Sequence, residues 1–292
     1  FSHGKFVSGS NLVNIMRQVS YYGIASVGMT FVILIAGIDL SIGSIITLVN
    51  MVCAYMMVNM GVNMWIAILA SLLISILIGL LNGFMVARVG MPALIATFAS
   101  QTVFEGLAFL LTNGRPVSGF TKTYPAINFF ARWTLGPVPW CAIIMVLCFA
   151  VGSFILNRSY FGRYFYAIGG NEEASELSGI LVNKMKYLIY ALSGFFAGLA
   201  GIVLLSRSGS AQTTVGKGLE FDVITCVVLG GVSVNGGVGR ISGVVAGVLI
   251  IGSLTNGMIL LNVSEYIQMV VKGLVLAAAV GLDCISNKRK TN

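Results

Sequence analysis

Gln101 and Glu105 stand four residues apart in an apolar run, which puts an amide and a carboxylate on one helix face. Thr97 lies one turn earlier, and Phe98 and Phe104 sit beside the pair. Hydroxyl, amide, carboxylate and aromatic rings together suit a sugar or another neutral polar solute, and they equally suit a polar contact between two helices. Asp39, in Gly37-Ile-Asp-Leu-Ser-Ile-Gly43, either caps the helix that follows, itself or through Ser41, or touches a solute. Asn82 and Asn256 either bond across helices or line a path. Lys272, deep in the last apolar run, is a partner for Glu105 or Asp39, or else snorkels to an interface. Polar side chains inside such runs are expensive and face a cavity or a neighbouring helix.

No stretch reads GxxxxGK[ST], HExxH or GxSxG. Gly230-Gly-Val-Ser-Val-Asn-Gly-Gly-Val-Gly239 is glycine-rich but lacks the phosphate-binding lysine. The chain is therefore read as having no catalytic residues, no metal site and no cofactor of its own. If it moves a solute uphill, the energy comes from a partner or an ion gradient. Cys53, Cys141, Cys148, Cys226 and Cys284 form no CxxC pair and read as buried, reduced thiols. His3, the single histidine, carries no role.

The elements that must position these residues are membrane helices. Of 292 residues, 57% are hydrophobic and 9% charged, which excludes an ordinary soluble domain. The formal charge of +8 reflects lysines and arginines at span ends and not nucleic-acid binding. Apolar runs at 20–37, 43–59, 64–87, 91–112, 139–157, 187–206, 221–234, 240–261 and 265–283 predict an all-α polytopic membrane protein. That gives about nine spans in a single transmembrane domain, 1–292. Phe1–Val19 reads as an extramembrane lead-in, and one missing N-terminal span would make ten. The glycines of the seventh run cannot hold a regular helix, so a broken or re-entrant span is expected near 221–239. Ala36-Gly37-Ile38 recurs as Ala200-Gly201-Ile202, and Asn82-Gly83 as Asn256-Gly257, faint traces of an inverted 5+5 repeat. Gly79/Gly83, Gly194/Gly198 and Gly243/Gly247 are spaced for close helix approach. Placing the 157–186 loop and the Lys288-Arg289-Lys290 tail in the cytoplasm leaves a slim excess of basic residues inside.

The longest polar, helix-competent stretch is Gly169–Ile180. Asn171 can cap a helix whose first turn carries Glu172 and Glu173, where the helix dipole favours carboxylates, and Gly179 can end it. Ala174, Leu177 and Ile180 would share one side, with Glu173 and Glu176 on another. A short amphipathic helix between two spans suits docking on a soluble partner.

Four stretches carry a family resemblance. Ser10-Asn-Leu-Val-Asn-Ile-Met-Arg-Gln-Val19, Gly28–Gly43, Phe161–Ala174 and Leu229–Gly239 resemble the ribose-type ABC sugar permeases, and the likeness runs over essentially the whole chain. The resemblance implies a membrane subunit of a bacterial monosaccharide importer, in the inner membrane. Its implied partners are ATP-binding subunits inside, which carry ATP and Mg, a sugar-binding protein outside, a second permease copy and the surrounding lipid. It makes Asn171–Gly179 a coupling helix that sits in a cleft of the ATPase. The sugar stays open among ribose, xylose, arabinose, galactose and inositol, with autoinducer-2 carried by some relatives. An ion-coupled secondary transporter, with Glu105, Asp39 or Lys272 titrating during transport, is the competing reading.

Overall fold

The structure, a computed structural model, describes residues 5–291, with side-chain surroundings for 6–285. Phe1 and His3 lie outside the described residues, as do the side chains of Lys288, Arg289 and Lys290. Nine of the helices fall on the nine apolar runs: α1 (Gly9–Leu34), α2 (Ile42–Val58), α3 (Met64–Ala87), α4 (Ala93–Thr112), α6 (Trp140–Arg158), α9 (Val182–Ser208), α10 (Leu219–Leu229), α11 (Ile241–Leu260) and α12 (Glu265–Thr291). Three more lie in the long connections: α5 (Phe120–Thr123), α7 (Tyr160–Gly170) and α8 (Glu172–Leu177). Two short antiparallel pairs complete the fold, β1 (Val117–Ser118) with β4 (Ser210–Ala211) and β2 (Thr134–Leu135) with β3 (Val138–Pro139).

Among the described residues, six helices are long and apolar enough to cross a membrane: α3, α4, α6, α9, α11 and Glu265–Ile285 of α12. The other three fail the test for physical reasons. Helix α1 is polar for a span, carrying Arg17, Gln18, Ser20, Ser26 and Thr30, but every residue from Gln18 to Leu34 is buried. A helix wrapped by protein can carry hydroxyls, because its neighbours and its own backbone satisfy them; Thr30 Oγ1 donates to Ser26 O at 2.6 Å. Helix α2 has 17 residues and α10 has 11, the latter about 16 Å or roughly half a hydrocarbon core.

Helix α1 reaches further back than its apolar run. Ser8 accepts the Asn11 N–H and caps a helix that starts at Gly9, so the described part of the expected lead-in is largely helical, with Ile15, Gln18 and Val19 already buried against the bundle.

Glycine pairs bring the central helices together. A methyl on Gly79 would strike the Tyr190 carbonyl oxygen, and one on Gly194 would strike that of Ser75. The two small-residue pairs of α3 and α9 therefore face each other, and these antiparallel helices meet backbone to backbone. Gly243 and Gly247 of α11 meet the Gly230 and Cys226 carbonyls in the same way. The expected break occurs after Leu229: Gly231, Gly236 and Gly237 take φ of 82°, 82° and 70°, and helix resumes at Ile241.

One repeat match does not join equivalent positions. Ala36 lies past the end of α1 at φ 58°, whereas Ala200 is inside α9. Asn82 and Asn256 are both buried inside helices. Four cysteines are buried free thiols, but Cys284 is exposed near the end of α12.

Candidate functional site

The polar residues divide into separate groups. The first centres on Asp39, in the turn between α1 and α2. Its Oδ1 accepts from Ser41 N at 3.0 Å and Ser41 Oγ at 2.6 Å, and its Oδ2 accepts from Ser193 Oγ of α9 at 2.7 Å. Ser41 Oγ accepts from Asn82 Nδ2 of α3 at 2.8 Å, and Ser100 of α4 donates to Asn82 Oδ1. Thr97 joins from the same face of α4, accepting from Leu40 N and donating to Ala93 O and Ile38 O. All six side chains are buried. This arrangement ties α3, α4 and α9 to the turn before α2, and Asp39, Asn82 and Thr97 are fully buried within it. Ser41, the residue before α2, makes no side-chain cap bond of its own.

The second group lies one turn along α4. Gln101 Nε2 donates to Glu105 Oε1 at 3.3 Å and to Glu220 Oε1 of α10 at 3.1 Å. Gln101 and Glu105 are half-buried, and Phe98 beside them is 58% exposed. Glu220 is buried, although it stands one residue before the apolar run at 221–234 and so falls outside the predicted spans. The loop before it tucks Gly216 against the first turn of α2, where Gly216 N donates to Thr47 Oγ1 at 3.0 Å. Thr47 in turn donates to Gly43 O at 3.0 Å. An eleven-residue helix after a long full-length one was the signal that α10 must start at depth.

Asn256 and Lys272 go elsewhere. Asn256 exchanges amide bonds of 2.9 and 3.1 Å with Asn11 of α1. Lys272 pairs with neither Glu105 nor Asp39: its Nζ lies 2.7 Å from Asp222 Oδ2, which also accepts from Tyr22 Oη at 3.1 Å. Asp222 is two residues from Glu220 and points the other way, towards α12, at a cavity of about 430 Å³ between α10 and α12.

The third group is α8 and its supports. Asn171 Oδ1 accepts the Ala174 N–H at 2.9 Å, Glu172 and Glu173 occupy the first turn, and Gly179 takes φ 86° beyond the end. Ser175 is the buried anchor, while Ala174, Glu176 and Leu177 face out, Leu177 with 84% of its surface exposed. Glu172 pairs with Lys186 at 2.6 Å, an exposed contact. Helix α7, inside the expected 157–186 loop, buries Phe165 and Ile168. Behind it, Gly169 is so close to Leu34 O and to Gly237 N that a methyl there would clash with both. Gly237 N also donates to Leu34 O at 2.8 Å. The base of α8 is thus locked to the end of α1 and to the glycine loop after α10. Tyr166 Oη donates to Gly239 O at 2.8 Å; burial raises its pKa above the ordinary phenol value, against a smaller lowering by Arg240, so it stays a donor.

Residues 11–280 match a family described as branched-chain amino acid transport system / permease component. The chain is 48% identical over 279 residues to the ribose import permease protein RbsC of Bacillus subtilis, covering 95% of this chain and 86% of the relative. It is 40% identical over 286 residues to the L-arabinose transport system permease protein AraH of Escherichia coli (98% and 86%). It is 33% identical over 345 residues to the xylose transport system permease protein XylH of Haemophilus influenzae (98% and 92%). No solved structure matches.

Proposed function

This chain belongs to that permease family, in its ribose-type branch, and on that premise we propose that it forms the membrane path of an ATP-driven importer for a monosaccharide. The substrate is a ribose-like pentose or a related sugar, handed over by a binding protein on the outer face of a bacterial inner membrane. The chain has no ATPase site of its own; ATP and Mg belong to the partner subunits.

The observation that carries the partner assignment is α8. Its carboxylates and Leu177 are exposed while its cap, its Ser175 anchor and the Gly169 lock fix it to the bundle. A rigidly mounted helix with an apolar residue 84% exposed is suited to a cleft on a soluble subunit. Asn171, Glu172, Glu173, Ala174, Glu176, Leu177 and Gly179 form that coupling element. Closure of the ATPase pair pulls on α8, and the lock passes the movement to α1 and to the loop after α10.

The other parts of the proposal concern architecture. All nine apolar helices sit in the membrane, with α10 spanning half of it. The order α1, turn 35–41, α2 mirrors α9, loop 209–218, α10, which supports an inverted repeat better than the Ala36 match does. Gln101 and Glu105 lie half-exposed in the middle of an apolar helix, and such groups do not face lipid. We place a second copy of the chain and the sugar path on that side of α4.

The family description names branched-chain amino acids, whereas the three relatives are named for sugars. The Gln101–Glu105–Glu220 group contains no lysine or arginine to meet a substrate carboxylate, which favours the sugar. The ion-coupled alternative is not favoured, since the relatives are named as permease components of transport systems. Uptake of labelled D-ribose into cells carrying the complete system distinguishes the two. Depleting ATP with the proton gradient held abolishes uptake by an ABC importer; uptake that survives, and collapses with the gradient instead, overturns the proposal.

A further inference from the structure

Glu220 is a carboxylate that the fold does not use up. It is 2% exposed, in the first turn of α10, and its Oε1 takes the Gln101 amide. Its Oε2 is buried and has no hydrogen-bond partner among the described residues. The fold has nevertheless made room for it. A methyl on Gly43 would collide with Oε2, and Gly216 presses its backbone against Gly43 on the other side. Two bare backbones thus form the seat of one carboxylate at the point where the first turns of α2 and α10 meet, and the positive ends of both helices favour its charge.

A buried carboxylate oxygen without a donor is destabilising unless something supplies one. Lysine and arginine are missing from the group. What the surroundings offer instead is a row of acceptors: Glu220 Oε2 at the buried end and Glu105 at the half-exposed end, held at a fixed separation by the Gln101 amide that donates to both. The exposed Phe98 ring lies one turn along the same helix. A ligand matching that row carries several hydroxyl donors, no net charge and an apolar face.

We infer that Glu220, with Gln101 and Glu105, is the station at which a monosaccharide docks its hydroxyls midway through the chain, and that the spacing of the two carboxylates discriminates between pentose diastereomers. This rests on the importer reading and adds the contact residues to it. Few acceptors and one ring make a weak site, which suits passage over retention.

The test uses the complete transporter with its ATPase and binding protein in liposomes, with labelled D-ribose and L-arabinose as probes. In Glu220→Gln, ribose taken up per ATP hydrolysed falls about tenfold, the scale of one hydrogen bond to a charged group, and the ribose-to-arabinose ratio shifts. Gly43→Ala, which displaces the Glu220 carboxylate while keeping all three polar residues in the sequence, changes the same ratio. Each variant is first shown to co-purify with the ATPase; Glu105→Gln carries the test if either fails to assemble. Unchanged uptake per ATP with an unchanged sugar ratio overturns the inference. So does uptake that becomes independent of a proton gradient only in Glu220→Gln, which would make Oε2 a proton carrier. A wild-type complex with no ATP-dependent uptake of either sugar would instead remove the importer reading.

Discussion

Replacing Asp39 by leucine tests whether this residue is structural. Three bonds converge on its carboxylate, two from Ser41 and one from Ser193. Leucine strands all three donors in a region sealed from water. Side-chain bonds inside membrane bundles contribute about 0.6 kcal/mol on average and up to about 1.7 each, so the loss should total about 2–5 kcal/mol. Asparagine gives a different result. Its carbonyl oxygen still accepts from Ser41, and its amide can donate to Ser193, whose hydroxyl rotates to accept. The cost should stay under about 1 kcal/mol. Ser193→Ala removes one bond and should fall between them, and its effect should vanish in the Asp39→Leu background, since the two act through the same contact. Equilibrium unfolding in mixed micelles, followed by proteolysis, measures all four. Equal losses for leucine and asparagine would refute the reasoning, because only the negative charge, and not the bonds, would then matter.

Lys272→Met should destabilise by about 3–5 kcal/mol, since it leaves the buried Asp222 with Tyr22 alone, and adding Asp222→Leu should recover most of the loss in the same unfolding assay. Gly79→Val should cost about 1–3 kcal/mol by forcing α3 away from the Tyr190 carbonyl. Gly106→Val, in α4 with open space around it, should change stability by less than about 0.5 kcal/mol. Equal losses for the two glycine variants would contradict the proposed α3–α9 contact.

Apolar length was the most legible feature of the sequence. The run at 64–87 coincides with α3, and the others locate their helices because hydrocarbon thickness dictates helix length whatever the neighbours do. The ends were less legible where protein and not lipid surrounds a helix. Helix α1 begins eleven residues before its apolar run because Ser8 caps it and its polar residues pack inward. Asn171 and Gly179 were readable as start and stop signals because capping is local chemistry. Partners were not readable, since they depend on which helices adjoin. Lys272 was matched to Glu105 or Asp39, yet α12 packs beside α10 and meets Asp222. Asn82 and Asn256 looked alike and bond to unrelated partners. Glu220 was missed because a carboxylate beside Gly216 and Gly218 resembles a solvated loop until the loop is seen to fold inward.

The central claim is that α8 engages an ATPase, and affinity purification of the tagged chain from its native membrane, with mass spectrometry of what accompanies it, tests that most directly. An ATP-binding cassette subunit should co-elute. It should be lost when Glu172, Glu173 and Leu177 are replaced by alanine, with Asn171 and Ser175 left to hold the helix. Elution of the wild-type chain without an ATPase, or a triple variant that keeps the subunit and transports normally, would contradict the account.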